Sequence, residues 1–115
     1  MNNSISPRYC DLSQFAEVAT RIPVLWVHGD SDAIVSDESM VDFGQLGKIG
    51  AVPGWPGDEY PPQPMGTQLR AMLARAVAGG GNVTEELFTD CGHSPHLEQP
   101  EHFRELLTRF VNANL

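Results

Sequence analysis

The sequence predicts an α/β fold in which two parallel strands are flanked by helices, like part of a doubly wound sheet. Two short runs at 22–29 and 82–90 have the apolar or β-branched composition of strands. Helical patterns precede the first run, separate the two runs and follow the second. Because a crossover that contains a helix is what joins parallel neighbours, a parallel pair with a right-handed crossover is expected.

The first two elements are a short helix and a buried strand. The helix is expected over 11–20, where Asp11 is a candidate N-cap and Gln14 follows three residues later. Its apolar residues recur at helical spacing: Leu12, Phe15 and Val18. The run IPVLWVHG at 22–29 is almost continuously apolar, which predicts a strand buried on both faces, as in a parallel sheet.

The crossover begins with weaker signals. A helical turn or two is expected within 36–49, where Ser36 and Ser39 are candidate caps and two glycines weaken the helix. The apolar residues of this segment are spaced by three: Met40, Phe43 and Leu46. Prolines and glycines are concentrated in 50–66, which predicts a loop long enough to serve a function.

The last three elements carry clearer patterns. Residues 65–78 predict a helix that Gly79, Gly80 and Gly81 end with a left-handed cap. Its apolar stripe is Met65, Leu69, Met72, Leu73 and Ala76. Residues 82–90 predict the second strand, and 99–115 the final helix with Pro100 at its first position. The stripe of that helix is Phe103, Leu106, Leu107, Phe110 and Val111.

Composition limits the partners and the compartment. The chain has 115 residues, 41% of them hydrophobic, which allows one domain with a real core. Its net charge of −8 argues against nucleic acid or an anionic membrane as a partner. Cys10 and Cys91 are too few and too far apart for a disulfide framework, and the first twenty residues lack a signal-peptide run. A cytoplasmic protein is expected.

Carboxylates and histidines follow the two predicted strands. Asp30 and Asp32 come after the first strand, and His93 and His96 come after the second. Because parallel strands present their carboxyl ends at one edge of the sheet, an aspartate and a histidine are expected to meet there. An aspartate that accepts the Nδ1–H of a histidine fixes its tautomer and stabilises the imidazolium, which suits general-base catalysis.

These two stretches resemble the C-terminal part of the α/β-hydrolase fold. GDSDAIV at 29–35 is similar to the family's acid motif, a G-x-x-D pattern followed by an apolar pair, which places the acid at Asp32. CGHSPHLEQPEHF at 91–103 is similar to its histidine loop, with matching residues Gly92, His93, Pro95, Glu98, Pro100 and Phe103. The chain order, acid before histidine, also agrees with that family.

The resemblance implies a hydrolase acting on an ester or related bond, with Asp32 as acid, His93 as base, and no metal or organic cofactor. It covers roughly 8–115 but only the second half of the family's fold, so the chain reads as a single partial domain over 1–115. The substrate would be a small molecule bound in the complete enzyme. The remaining strands, the nucleophile and the oxyanion hole are expected to precede the first residue.

No nucleophile is evident within the chain. G-x-S-x-G does not occur, and Ser31 in Gly29–Ala33 lacks both the final glycine and a helix directly after it. Ser94 adjoins His93, and Cys91 is only two residues from it, so neither is well placed to face the imidazole. The isolated chain is therefore expected to be a poor catalyst.

Other interpretations stand beside this one. Asp32, like Asp30, could be only a turn residue, and His28 is expected to be structural. Candidate pocket-lining residues are Val35, Trp55, Ser94 and His96. Trp55 and Tyr60 could equally be packed anchors of the 50–66 loop. Cys91, His93 and His96, completed by Asp30 or Asp32, would suit zinc.

The sequence leaves two functions and two partners open. The chain either supplies half of a hydrolase or is a non-catalytic assembly or regulatory module that reuses the half-fold. Two parallel strands cannot form a buried sheet alone, so the 22–29 strand is expected to pair with the missing N-terminal half or with another copy of the chain.

Overall fold

A computed structural model describes residues 12–115 of the chain, so the predicted cap Asp11 and the first cysteine, Cys10, lie outside the described residues. The fold is mixed α/β, with a parallel sheet of two strands and flanking helices. Its elements in order are α1 (Phe15–Val18), β1 (Val24–Gly29), α2 (Phe43–Lys48), α3 (Met65–Ala78), β2 (Val83–Phe88), α4 (Pro95–Glu98) and α5 (Pro100–Ala113). Within the described part of the chain, no helix is long and apolar enough to cross a membrane.

The sheet separates two small hydrophobic clusters. The two strands pair in parallel, with Val24 opposite Val83 and Gly29 opposite Phe88. Neighbouring residues of a strand point to opposite faces. The first cluster joins α1, α3 and the strand starts: Phe15, Ala16, Ala19, Val24, Met72, Ala76 and Val83. The second joins the strands to α5: Leu25, Val27, Phe88, Cys91, Phe103 and Leu106.

Burial of β1 is less complete than its composition predicts. Every residue from Val24 to His28 is only half-buried, and Gly29 alone is buried. Within residues 12–115 the sheet is only two strands wide, so β1 has no neighbour on its outer side and the sheet offers the helices only a narrow surface. For the same reason Leu107 and Val111 of α5 stay exposed, although the pattern predicts both in its buried stripe.

The first helix buries only part of the face predicted, since Phe15 packs against the core and the other two members of the stripe do not. Leu12 and Val18 are exposed, whereas Ala16 and Ala19 are buried against α3. Small side chains allow α1 to approach Ala76 closely, so Ala16 and Ala19 form the buried part of the contact and Phe15 packs against it. The helix is also shorter than expected, because regular helix is confined to Phe15–Val18.

The caps predicted for the second helix are wrong. Asp42 is the N-cap of α2, and its Oδ1 accepts a hydrogen bond from the Gly44 amide at 2.9 Å. Ser36 lies well before the helix. Ser39 is fully buried in the preceding turn, where its hydroxyl donates to the Ile34 carbonyl at 2.5 Å.

The third helix agrees with its prediction at both ends. Leu73 and Ala76 are buried, and Met65, Leu69 and Met72 are half-buried, so the predicted stripe faces the core. At its end Gly80 has a φ of +94°, and the Gly81 amide donates to the Ala76 carbonyl at 2.8 Å. This is a Schellman cap, and it requires a residue that tolerates the left-handed region. As expected, no helix or strand occurs in 50–64.

Candidate active site

Asp32 and His93 lie side by side at the carboxyl ends of the two strands. Nδ1 of His93 is 3.1 Å from Oδ2 of Asp32. The Asp32 side chain is 7% exposed, whereas that of His93 is 51% exposed. Asp32 is therefore held inside the fold, and His93 lies between it and solvent. The predicted meeting of these two residues is present in the structure.

The backbone after Asp32 orients its carboxylate. Oδ1 accepts hydrogen bonds from the amides of Ile34 at 2.8 Å and Val35 at 3.0 Å, so Asp32 also serves as a turn residue. This leaves Oδ2 for the imidazole. Burial acts to raise the pKa of Asp32, but the hydrogen bonds from His93 and the two amides outweigh it and hold that pKa below its ordinary value. The carboxylate is thus ionised at neutral pH.

The close approach of the two loops depends on Gly29, the last residue of β1. A Cβ at this position would lie 2.1 Å from the carbonyl oxygen of Cys91 and 2.2 Å from that of Gly92. Beyond β1, the Asp30 amide donates to the Phe88 carbonyl and the Ser31 amide to the Cys91 carbonyl, both at 2.9 Å. The missing side chain therefore lets the histidine loop lie directly against the acid loop.

Asp30 fastens the two loops together instead of facing the imidazole. Its Oδ1 accepts from the Cys91 amide at 3.2 Å and from the Ser31 hydroxyl at 3.1 Å. The bond from the Cys91 amide is the main cause that lowers the pKa of Asp30. Asp30 thus lies in the turn after β1 but binds the opposite loop, whereas Asp32 is the aspartate beside His93.

Glu98, at the end of α4, restrains the histidine loop from the other side. Both of its carboxylate oxygens are 3.0 Å from the Gly92 amide, and Oε2 also accepts from the Ser94 amide at 3.2 Å. These two amides flank His93, so the carboxylate fixes the backbone on both sides of the imidazole. Glu98 belongs to the matching histidine motif, but the sequence does not assign it a structural contact.

Replacing Glu98 with alanine should lower the free energy of unfolding by about 1–3 kcal/mol, because two amides beside His93 lose their acceptor. Urea denaturation followed by circular dichroism measures the change. Glu105→Ala is the matched control, since Glu105 is exposed on α5 and should change stability by less than about 0.5 kcal/mol. Equal losses in the two variants would show that Glu98 does not restrain the loop.

The other predicted pocket residues are only partly gathered around the pair. The Val35 amide contacts Asp32, and the Ser94 amide contacts Glu98. His96 is exposed, with its ring edge-on to Phe103 at a centroid distance of 5.9 Å. Trp55 lines a separate groove that does not include Asp32 or His93.

The histidine of β1 is structural, as expected. Nε2 of His28 is 2.9 Å from Oε1 of Glu85, and its ring stacks on Trp26 at 4.1 Å. Arg70 donates to the same Glu85 oxygen at 2.7 Å. Its hydrogen bond is the main cause that lowers the pKa of Glu85. Among residues 12–115, no group of three or more His, Cys, Asp or Glu is placed to hold a metal ion.

The nucleophile candidates are not placed to react with His93. The Ser31 hydroxyl donates to Asp30. Cys91 is buried, and burial, together with the nearby charge of Glu98, raises the pKa of its thiol, which disfavours the thiolate. No side chain within 12–115 forms a hydrogen bond to the Nε2 of His93, so that nitrogen remains open to a group from elsewhere.

Gly29 and Glu98 help to position Asp32 and His93, and the sequence does not predict the contacts by which they do so. Gly29 touches the histidine loop about sixty positions away, and Glu98 binds backbone amides that only the folded loop brings to it. Neither contact has a local signal. Comparison of the chain with protein-family models, with curated proteins and with solved structures returns no match.

Proposed function

We propose that this chain supplies the acid and the base of a hydrolase with the α/β-hydrolase fold, and that it corresponds to the C-terminal part of that fold. The observation that carries the proposal is the pairing of His93 Nδ1 with Asp32 Oδ2 at 3.1 Å, at the carboxyl ends of parallel strands. The bond cleaved is an ester or a related bond, because this pair activates hydroxyl groups or water.

The geometry supports separate roles for His93 and Asp32. Nε2 of His93 would take the proton of the nucleophile or of water, and the imidazolium so formed would later return it to the leaving group. Asp32 accepts the Nδ1–H, which holds the tautomer that leaves Nε2 free to act as a base. Because the Ile34 and Val35 amides already bind its other oxygen, the carboxylate cannot rotate away from the ring.

The nucleophile and the oxyanion hole would come from a further polypeptide segment that pairs with the outer edge of β1. Within the described residues β1 and β2 are both edge strands, but they differ in composition. β2 carries Glu85 and Glu86, and charges of this kind discourage further pairing. β1, with the sequence VLWVHG, has no Asp, Glu, Lys or Arg, and its one polar side chain, His28, is bound to Glu85 of β2; this composition is typical of a strand with neighbours on both sides. A second copy of the chain is the other candidate for this edge.

The proposal is tested by assaying a chromogenic ester with the chain alone and with the sequence encoded directly upstream. The chain alone should hydrolyse the ester no faster than free imidazole at the same concentration, because under this proposal the nucleophile and the oxyanion hole lie on the further segment. A preceding segment with a strand, G-x-S-x-G and a helix should produce turnover that His93→Ala abolishes.

Two results would contradict the proposal. Rapid, His93-dependent turnover by the chain alone would show that the nucleophile lies within it. A start site directly before Met1, with no ester hydrolysis in any combination, would favour the non-catalytic assembly module instead.

A further inference from the structure

An open aromatic groove lies between α2 and the loop 50–64, away from Asp32 and His93. Its volume is about 560 Å³, which is large enough for a small organic molecule. The side chains that matter for its chemistry are Phe43, Trp55, Tyr60, Asp42 and Glu59. These five residues define the aromatic groove.

The groove is held in shape by contacts that the two helix glycines permit. A Cβ at Gly47 would lie 2.5 Å from the Trp55 side chain, and one at Gly44 would lie 2.6 Å from the Pro61 carbonyl group. The loop therefore packs directly on the α2 backbone. The Trp55 indole also donates to the Tyr60 carbonyl at 2.9 Å. Because the loop is already packed on α2, binding of a ligand costs little entropy for the ordering of side chains.

The aromatic rings form a bent surface that is partly open to solvent. Phe43 and Trp55 stack with centroids 5.6 Å apart, and Tyr60 is tilted by 54° to Trp55 at 6.0 Å. Tyr60 is 58% exposed and Phe43 is 44% exposed. Rings that served only to pack the loop would be expected to be buried, so their exposure leaves ring surface free for a ligand.

The charge of the groove has one sign. Asp42 and Glu59 are its ionisable acidic side chains, and neither Lys nor Arg lines it. Both oxygens of Asp42 are bound by backbone amides, from Gly44 at 2.9 Å and Gln63 at 2.6 Å. The Glu59 carboxylate accepts no hydrogen bond from any residue in 12–115 and is free to face a ligand.

We propose that the aromatic groove binds an organic ammonium cation, of which a quaternary ammonium group is the simplest form. The faces of aromatic rings attract such cations through the ring quadrupole. The methyl groups of the cation also suit an apolar surface, whereas a hydrated metal ion does not. The free Glu59 carboxylate and the net charge of −8 add attraction of the same sign. This site is independent of the proposed hydrolase function, because neither Asp32 nor His93 lines it.

The test is a titration with choline chloride followed by NMR of the two tryptophan indole N–H signals. Trp55 lies in the groove and Trp26 lies on the sheet beside Arg70, so Trp26 is an internal control. The Trp55 signal should shift in a saturable way. Choline should bind at least about threefold more tightly than 3,3-dimethylbutan-1-ol, its neutral analogue of the same shape, because only the cation gains from the rings and carboxylates.

Two surface variants sharpen the result without disturbing the fold. Glu59→Gln should weaken choline binding about two- to fivefold and leave the neutral alcohol unaffected. Asp58→Asn, at the exposed neighbouring position outside the groove, is the matched control and should have a smaller effect. Equal binding of choline and the alcohol, a shift at Trp26 alone, or no shift of Trp55 would each overturn the proposal.

Discussion

Replacing Gly29 with alanine should lower the free energy of unfolding by about 3 kcal/mol, the largest stability loss expected from one methyl group in this chain. The new Cβ would lie 2.1 Å from one backbone carbonyl oxygen and 2.2 Å from the next. Neither atom belongs to a flexible side chain, so the whole histidine loop must move. The movement also separates Asp32 from His93. Urea denaturation measures the first effect, and the carboxyl and imidazole NMR signals report the second.

Gly57→Ala is the matched control for this substitution. A Cβ at Gly57 would meet no atom within 4 Å, and the residue lies in a loop. Alanine there should be neutral or should stabilise the fold by up to about 1 kcal/mol, because it restricts the unfolded chain. If Gly29→Ala were as mild as Gly57→Ala, the tight contact between the loops would not exist in solution.

Asp32→Asn should reduce kcat by about 10³- to 10⁴-fold in the complete hydrolase, if the proposed function is correct. Asparagine keeps the size of the side chain, and its carbonyl oxygen can still accept from the Ile34 and Val35 amides. It presents an amide N–H to His93, however, which favours the wrong tautomer and does not stabilise the imidazolium. Stability should therefore change little while turnover collapses. Steady-state kinetics with the chromogenic ester, beside urea denaturation, separates these two effects.

Asp30→Asn supplies the comparison within the same turn. Asp30 binds the Cys91 amide and does not contact the imidazole, so kcat should fall by less than about tenfold. Similar losses from the two substitutions would mean that Asp32 acts through the structure of the turn alone. Its assignment as the catalytic acid would then be wrong.

The sequence can predict the site pair because both residues follow from one topological rule. Parallel strands end at the same edge, so Asp32 and His93 are expected together before any distance is known. Helix α3 can also be predicted from the sequence, since its apolar stripe and its glycine cap are local signals. The contacts that hold Asp32 and His93 together cannot be predicted from the sequence, because Gly29 and Glu98 act on backbone groups that only folding brings near them.

The failures have specific physical causes. Ser36, Ser39 and Asp42 are all acceptable caps by residue type, and tertiary contacts decide among them. Asp42 also binds the Gln63 amide, whereas Ser39 is used inside the preceding turn. In the sequence, the glycines of α2 indicate only a weak helix. In the structure they are the points where Trp55 and Pro61 touch its backbone, and helix propensity contains no information about that.

The long crossover between β1 and β2 has a consequence for the kinetics of folding. Asp32 and His93 are 61 positions apart, so they cannot meet until the intervening chain has closed into a loop. Helix α3, whose hydrogen bonds are local, can begin to form far earlier, since helices form on a timescale of about a microsecond or less. The pair is in this sense a late reporter of folding, and it should come apart early when the two strands separate.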